Sequence, residues 1–249
     1  MLKPLERSLH PCKPDLRHEP ARPSLRVWYW LVLSLTLLLL AFAVDGPVSE
    51  MFTLKSSTFL RSLAVYASKA GEGWVIASVG ATLSLLLFLL HRFTASRAVF
   101  FVTATGLVTG AAATVIRSLL GRTRPTSHEL QGFYGVWHDS HWIIGKYEFG
   151  AFPSGHAATV IGLAAAAWLI DRRLGTLAAA YALLVSWSRI ALGCHHFSDA
   201  VAAGILGIYG AHLISARLGP TVQSFCQNLQ KAWLARKETL GSSPRHRQA

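Results

Sequence analysis

"AFPSGHAATVIGLAAAAWLI", residues 151–170, passes from a proline, serine, glycine and histidine straight into fourteen residues without a charge. A titratable histidine at the mouth of a hydrophobic run has to be accounted for. The apolar half resembles the rest of the chain, whose hydrophobic residues are gathered into long blocks and not spread periodically. Of 249 residues, 52% are hydrophobic and only 14% charged, which is the composition of a membrane protein. The formal net charge of +12 points to lipid headgroups and topology, and no basic, aromatic-interleaved module suggests a nucleic-acid partner.

Apolar runs near 27–44, 74–91, 98–120, 155–170, 174–192 and 199–216 are long enough to cross a bilayer, given that a span needs about 20 helical residues with a tolerance of several. The expected fold is all-α, an integral membrane bundle of six transmembrane helices with short interfacial helices. "AVDGPVSE" after the first run lacks a small-x-small cleavage site, so that run is expected to be a retained span and not a removed leader. Positive charge is held on the cytoplasmic side during insertion. Sixteen of the 24 Lys and Arg fall in the termini and the loops at 91–97 and 171–173, so both termini are expected inside. The segments 45–73, 121–154 and 193–198 then face outward.

Three regions follow. Residues 1–26, rich in Pro and charge, read as a disordered basic cytoplasmic tail; 27–216 form the six-span domain; 217–249 form a basic cytoplasmic segment. Within the last, Val222, Phe225, Leu229, Trp233 and Leu240 make an apolar stripe opposite Lys231, Arg236 and Lys237, suited to the inner leaflet. Phe52, Phe59, Leu63 and Tyr66 recur at helical spacing and predict a helix lying on the outer surface. Cys12, Cys194 and Cys226 leave one cysteine near the outer face, so disulfide chemistry is not expected there. Gly106 and Gly110 read as close helix packing.

Ionisable groups at the ends of apolar spans are costly and tend to mark function. Here they collect on the outward side: "RSLLGRTRP" at 117–125, "PSGH" at 153–156 and "SRIALGCHHFSD" at 188–199. Several arginines present planar forks of donors that match phosphate oxygens. Pro153 and Ser154 at a helix start, followed by Gly155, leave free backbone N–H groups and the positive end of the dipole for an anion. His195 lies four residues before Asp199, which can accept the ring N–H, fix the tautomer and leave the other nitrogen as a nucleophile. His156 is the natural acid for a leaving oxygen. His196 is expected to be a loop neighbour. Residues 126–150, with His128, His138, His141 and Lys146, read as a surface loop and not a metal site, although its aromatic residues suit a substrate entrance.

These stretches resemble the type 2 phosphatidic acid phosphatase superfamily, which also includes vanadium haloperoxidases. The family pattern is Lys-x6-Arg-Pro, then Pro-Ser-Gly-His, then Ser-Arg-x5-His-x3-Asp. The resemblance implies Arg124, Ser154, Gly155 and Arg189 as phosphate ligands, His156 as general acid, His195 as nucleophile and Asp199 as its orienting partner. Arg117 stands where the pattern has Lys; it keeps the charge but substitutes a fork for a point, and is taken as a further phosphate ligand. The implied activity is that of a membrane lipid-phosphate phosphatase working through a phosphohistidine, with no cofactor and no metal. Its site would face the periplasm of a bacterial inner membrane. Phosphatidic acid, phosphatidylglycerol phosphate, undecaprenyl diphosphate and lipid A all present the same group, and an envelope lipid is favoured, polyprenyl diphosphate slightly ahead of lipid A. Rival readings are phosphotransfer to a sugar or lipid acceptor, a vanadium haloperoxidase, and a non-catalytic lipid-binding or transport protein.

Overall fold

The computed structural model describes residues 25–54 and 59–218. The tail at 1–24 and the stripe at 221–240 lie outside the described residues. The described residues divide into two compact units between Thr36 and Leu37; the account below concerns the second.

Among the described residues there are eight α-helices: α1 (Leu25–Ala43), α2 (Asp45–Phe52), α3 (Phe59–Ala70), α4 (Gly73–Leu89), α5 (Phe93–Leu120), α6 (Gly155–Ile170), α7 (Arg172–Ala191) and α8 (Phe197–Leu218). The expected helical membrane architecture is present. By length and composition α1, α5, α7 and α8 can each cross a bilayer, and α3 with α4, bent by 61° at their junction, add a fifth span if taken together. The count of six is therefore not reached on length alone. With 17 and 16 residues, α4 and α6 are each about 25 Å long, short of the ~30 Å hydrocarbon layer.

α6 packs between α5 and α7, and the contact with α5 is made by small residues. A Cβ at Gly110 would strike the Thr159 hydroxyl, and one at Gly162 would strike the Thr109 hydroxyl, so each helix supplies a notch for the other's threonine. Thr109 Oγ1 donates to the carbonyls of Gly106 and Ala158, both at 2.9 Å, so its hydroxyl is satisfied where no water reaches. Ala113 on α5, Ala157 and Ala158 on α6 and Ala203 on α8 close into one buried cluster, which seats α8 against the same pair. A second cluster joins Ile76, Val160, Ala164, Ala182 and Val185 from α4, α6 and α7. The large side chains point the other way. Leu83, Leu85, Phe100, Val108, Val115, Leu177 and Leu183 are all exposed, as an apolar solvent requires.

The expected surface helix is corrected. The stretch 45–70 contains two helices, and α3 packs on α7 through Ala64, Ala67 and Ser68. Its apolar stripe faces away, with Phe59 and Tyr66 exposed. The small residues determine which side is buried because only they let the two backbones approach closely.

The ends of these helices bring the site together. Gly121 closes α5 in the left-handed region at φ +59°, and its N–H reaches the Arg117 carbonyl at 3.1 Å. A side chain there would strike the carbonyl of Gly135, so only glycine lets the chain turn back over the helix end. Residues 126–150 are less irregular than expected. They contain a hairpin of β1 (Trp137–His138) and β2 (His141–Trp142), whose turn residues Asp139 and Ser140 both have positive φ, and a 3-10 turn at Tyr147–Phe149.

Gly110→Ala should lower the apparent Tm in detergent, by an overpacking penalty of about 1–3 kcal/mol. Adding Thr159→Ala, which removes the opposing hydroxyl, should recover part of the loss. A double variant no better than the sum of the single ones would mean that the two residues do not interlock.

Candidate active site

All eight expected site residues lie at one end of the bundle, contributed by the end of α5, the following loop, the start of α6, the end of α7 and the start of α8. The Arg117 guanidinium rests over Gly155, about 3.4 Å from where a Cβ would stand. His156 lies within electrostatic reach of Arg189, His195, Arg117 and Arg124. Ser154 caps α6, its hydroxyl accepting from the Ala157 N–H at 3.5 Å, while its own N–H donates to the Asp199 carbonyl at 3.2 Å and ties α6 to α8.

His195 sits in the loop between α7 and α8 and is 1% exposed. Its Nδ1 lies 2.8 Å from the Ala151 carbonyl and 3.5 Å from Asp199 Oδ2. A carbonyl only accepts, so Nδ1 carries the proton and, in the neutral ring, Nε2 keeps its lone pair. The expected Asp199 contact exists, but the backbone carbonyl is the nearer acceptor. Burial lowers the imidazole pKa to about 4, against the pull of Asp199 and with help from Arg124 and Arg189. Nε2 is buried and has no hydrogen-bond partner among the described residues.

Among the described residues, none of Arg117, Arg124 and Arg189 pairs with a carboxylate. Arg124 is held by backbone: Nε donates to Tyr147 O at 2.7 Å, and its other nitrogens to Cys194 O at 3.1 Å and Gly150 O at 3.3 Å, with the Tyr147 ring 3.8 Å beneath. Among the described residues, these bonds engage three of its five N–H groups. Burial lowers its pKa, and the like charges of Arg189 and Arg117 add to that. Arg189 donates to Ser68 Oγ at 2.5 Å, while its Nε is buried with no hydrogen-bond partner among the described residues. Arg117, Arg124, Arg189 and His195 thus all lie within electrostatic reach of His156, an arrangement that an anion between them would complete. Beside it a cavity of about 240 Å³ runs along α5 and α6 past Gly110, Thr114, Thr159 and His156. Another of about 210 Å³ opens under Lys146 and Tyr147, and Arg117 lines both.

Other residues are placed differently from the ligands. His196 donates from Nε2 to Thr123 O at 3.2 Å and clamps two loops together. In the loop at 126–150 the His138 ring is met by Glu129 and Asp139, while His141 is its partner across the hairpin; the ligand atoms of Glu129, His138 and Asp139 lie within 4.8 Å of one another, with Asp139 largely exposed. The sequence reading did not single out Ser68, the Ala151 carbonyl, Asp45 or a structural part for Arg122. For Asp45 there was a signal, a lone acid directly after an apolar run. For Ser68 and Ala151 there was none, since both act through contacts made only after folding.

The chain matches the PAP2 superfamily over residues 95–220, and it belongs to that family. It is 32% identical over 150 residues to a lipid A 4'-phosphatase of Bacteroides thetaiotaomicron, a match covering 54% of this chain and 64% of that relative. The fold is similar to the crystal structure of the first transmembrane PAP2 type phosphatidylglycerolphosphate phosphatase from Bacillus subtilis, with TM-score 0.54 and 18% identity over 79% of this chain and 96% of that one. A further similarity is to Aquifex aeolicus LpxE, at TM-score 0.48 and 16% identity over 68% of this chain and 93% of that one. Family membership and the apolar helices together make this an integral membrane protein.

With its folded pKa near 4 and an unfolded value near 6.5, His195 should be neutral throughout the physiological range. The unfolded chain then binds the extra proton between those values, so the stability contribution of neutral His195 is complete above about pH 6.5 and is lost as pH falls toward 4. Imidazole 15N shifts should show a midpoint near 4, and a midpoint near 6.5 would contradict the burial seen here.

Proposed function

We propose that the protein is a lipid-phosphate phosphatase in which His195 is the nucleophile. The observation that carries this reading is a neutral histidine whose buried Nε2 has no hydrogen-bond partner among the described residues, close to Arg124 and Arg189, which like Arg117 have no carboxylate partner among those residues. Nε2 attacks phosphorus in line as the bond to the leaving oxygen breaks, and His156 gives that oxygen its proton. Arg117, Arg124, Arg189 and the N–H groups around Gly155 stabilise the charge on the equatorial oxygens. Water then attacks the phosphohistidine, His156 takes its proton, and phosphate leaves with His195 returned to neutrality. Side chains, backbone and the attacking water supply every proton and charge in this cycle, so it calls for no metal or other cofactor.

The lipid enters from the side, its tails staying in the bilayer and its headgroup passing along the cavity between α5 and α6. α6, enclosed by α5, α7 and α8, acts as the short sixth span, with both termini cytoplasmic and the site periplasmic in a bacterial inner membrane. Undecaprenyl diphosphate, phosphatidylglycerol phosphate and phosphatidic acid remain substrates to compare. The name of the curated relative favours a lipid A phosphate over polyprenyl diphosphate, reversing the order expected from the family resemblance.

Detergent-solubilised protein with EDTA present, offered these lipid phosphates, should release phosphate, and His195→Ala should lower kcat by at least about 10³-fold. An acid-labile, base-stable phosphoenzyme should form in the wild type only. Equal release by both proteins would remove His195 from the mechanism; phosphate passed to an added sugar or lipid acceptor faster than to water would make the enzyme a transferase.

A further inference from the structure

Arg122 belongs to the same short run as Arg117 and Arg124, yet it points away from the phosphate space. One guanidinium nitrogen donates to Asp199 Oδ1 at 2.5 Å and to Ser198 Oγ at 2.7 Å; the other donates to Asp45 Oδ2 at 2.8 Å. Asp45, in the first turn of α2, also accepts from the Ser198 N–H at 2.7 Å and the Ser198 hydroxyl at 2.5 Å. The guanidinium carbon lies 4.8 Å from the Phe42 ring centre, 5.2 Å from Phe133 and 5.7 Å from Phe152, which form an aromatic wall around it. Asp45, Arg122 and Asp199 are all buried, at 8%, 7% and 0% exposure. A buried ion network of this kind does not by itself argue for stability, because desolvation offsets most of its attraction. What it does specify is direction. Asp199 Oδ2 faces the His196 N–H at 2.8 Å and His195 Nδ1, and it is the grip of Arg122 on Oδ1 that sets the rotation of the carboxylate.

We propose that Arg122, anchored by Asp45 and Ser198, is a positioning residue that fixes the Asp199 carboxylate and through it, together with the Ala151 carbonyl, the tautomer and ring orientation of His195. This rests on the phosphatase reading with His195 as nucleophile. The fork is essential to the idea: two carboxylates and a hydroxyl are engaged by two nitrogens of one rigid plane, which an ammonium group cannot reproduce. Asp45 at the start of α2 thereby becomes part of the machinery, although it lies far from it in sequence.

The test uses Arg122→Gln, Arg122→Lys, Asp45→Asn and Ser198→Ala in the full-length protein. For Arg122→Gln, kcat should fall by about 10- to 100-fold, the range seen when a supporting partner is removed, while KM stays within about threefold because the phosphate ligands are untouched. Arg122→Lys should recover only part of that loss. Imidazole 15N spectra should show the Nδ1–H tautomer of His195 in the wild type and a mixture in Arg122→Gln. A folded Arg122→Gln with wild-type kcat would overturn the proposal, as would a rise in KM alone, which would mark Arg122 as a substrate ligand. If Arg122→Gln does not fold, Asp45→Asn and Ser198→Ala decide: lower kcat at constant KM supports positioning, whereas a lower Tm with unchanged kcat makes the network scaffold only and overturns it. A wild type that hydrolyses no lipid phosphate defeats the phosphatase reading by itself, and the His195 tautomer ratio in the variants then decides the positioning claim.

Discussion

Positive charge without a counter-ion, held at the end of a helical bundle, is the constraint around which the rest of the structure is arranged. Arg117, Arg124 and Arg189 repel one another, and burial adds to the cost for Arg124, so the site is tolerable only because each cation is fixed by something neutral. Arg124 is fixed by three backbone carbonyls and the Tyr147 ring, Arg189 by Ser68, and Arg117 by its seat over Gly155. A carboxylate partner in any of these places would satisfy the arginine and cancel its attraction for an anion. The one arginine of the cluster that is paired with acids, Arg122, is turned away from the space. Charge is thus divided among the arginines: neutral anchors hold Arg117, Arg124 and Arg189, and the carboxylates of Asp45 and Asp199 hold Arg122.

Such a site needs a rigid frame, and the frame comes from small residues. Where α5 meets α6, glycines and threonines interlock, so the helix ends bearing Arg117 and His156 hold their spacing without bulky side chains between them. The large apolar residues are then left to cover the outside. That division explains why α3, whose sequence shows an obvious apolar stripe, buries its alanines and a serine instead. In lipid, contact with the solvent costs a leucine nothing, and close approach between backbones determines which face packs.

This same point limits how much can be read in advance. The helices were legible because apolar length is a property of consecutive residues, and the clustering of ionisable groups at span ends was legible because alternating spans bring alternate loops to one side. His195 and Asp199 were legible as a pair from their four-residue separation. The Ala151 carbonyl was not, since it approaches His195 from 44 residues away and through backbone, which carries no residue-specific signal. Arg122 looked equivalent to its neighbours because spacing says nothing of which way a side chain in a loop will point.

By itself, then, the sequence determined the membrane class, the gathering of polar groups at one end of the bundle and the residue types available for an anion, because these depend on local hydrophobicity and on motif order. Only the tertiary structure decided which arginines stay unpaired, which nitrogen of His195 keeps its lone pair, and that Asp45 reaches the start of α8. Those outcomes depend on hydrogen-bond direction and on desolvation, and both are defined only when segments distant in the chain have closed around one buried space.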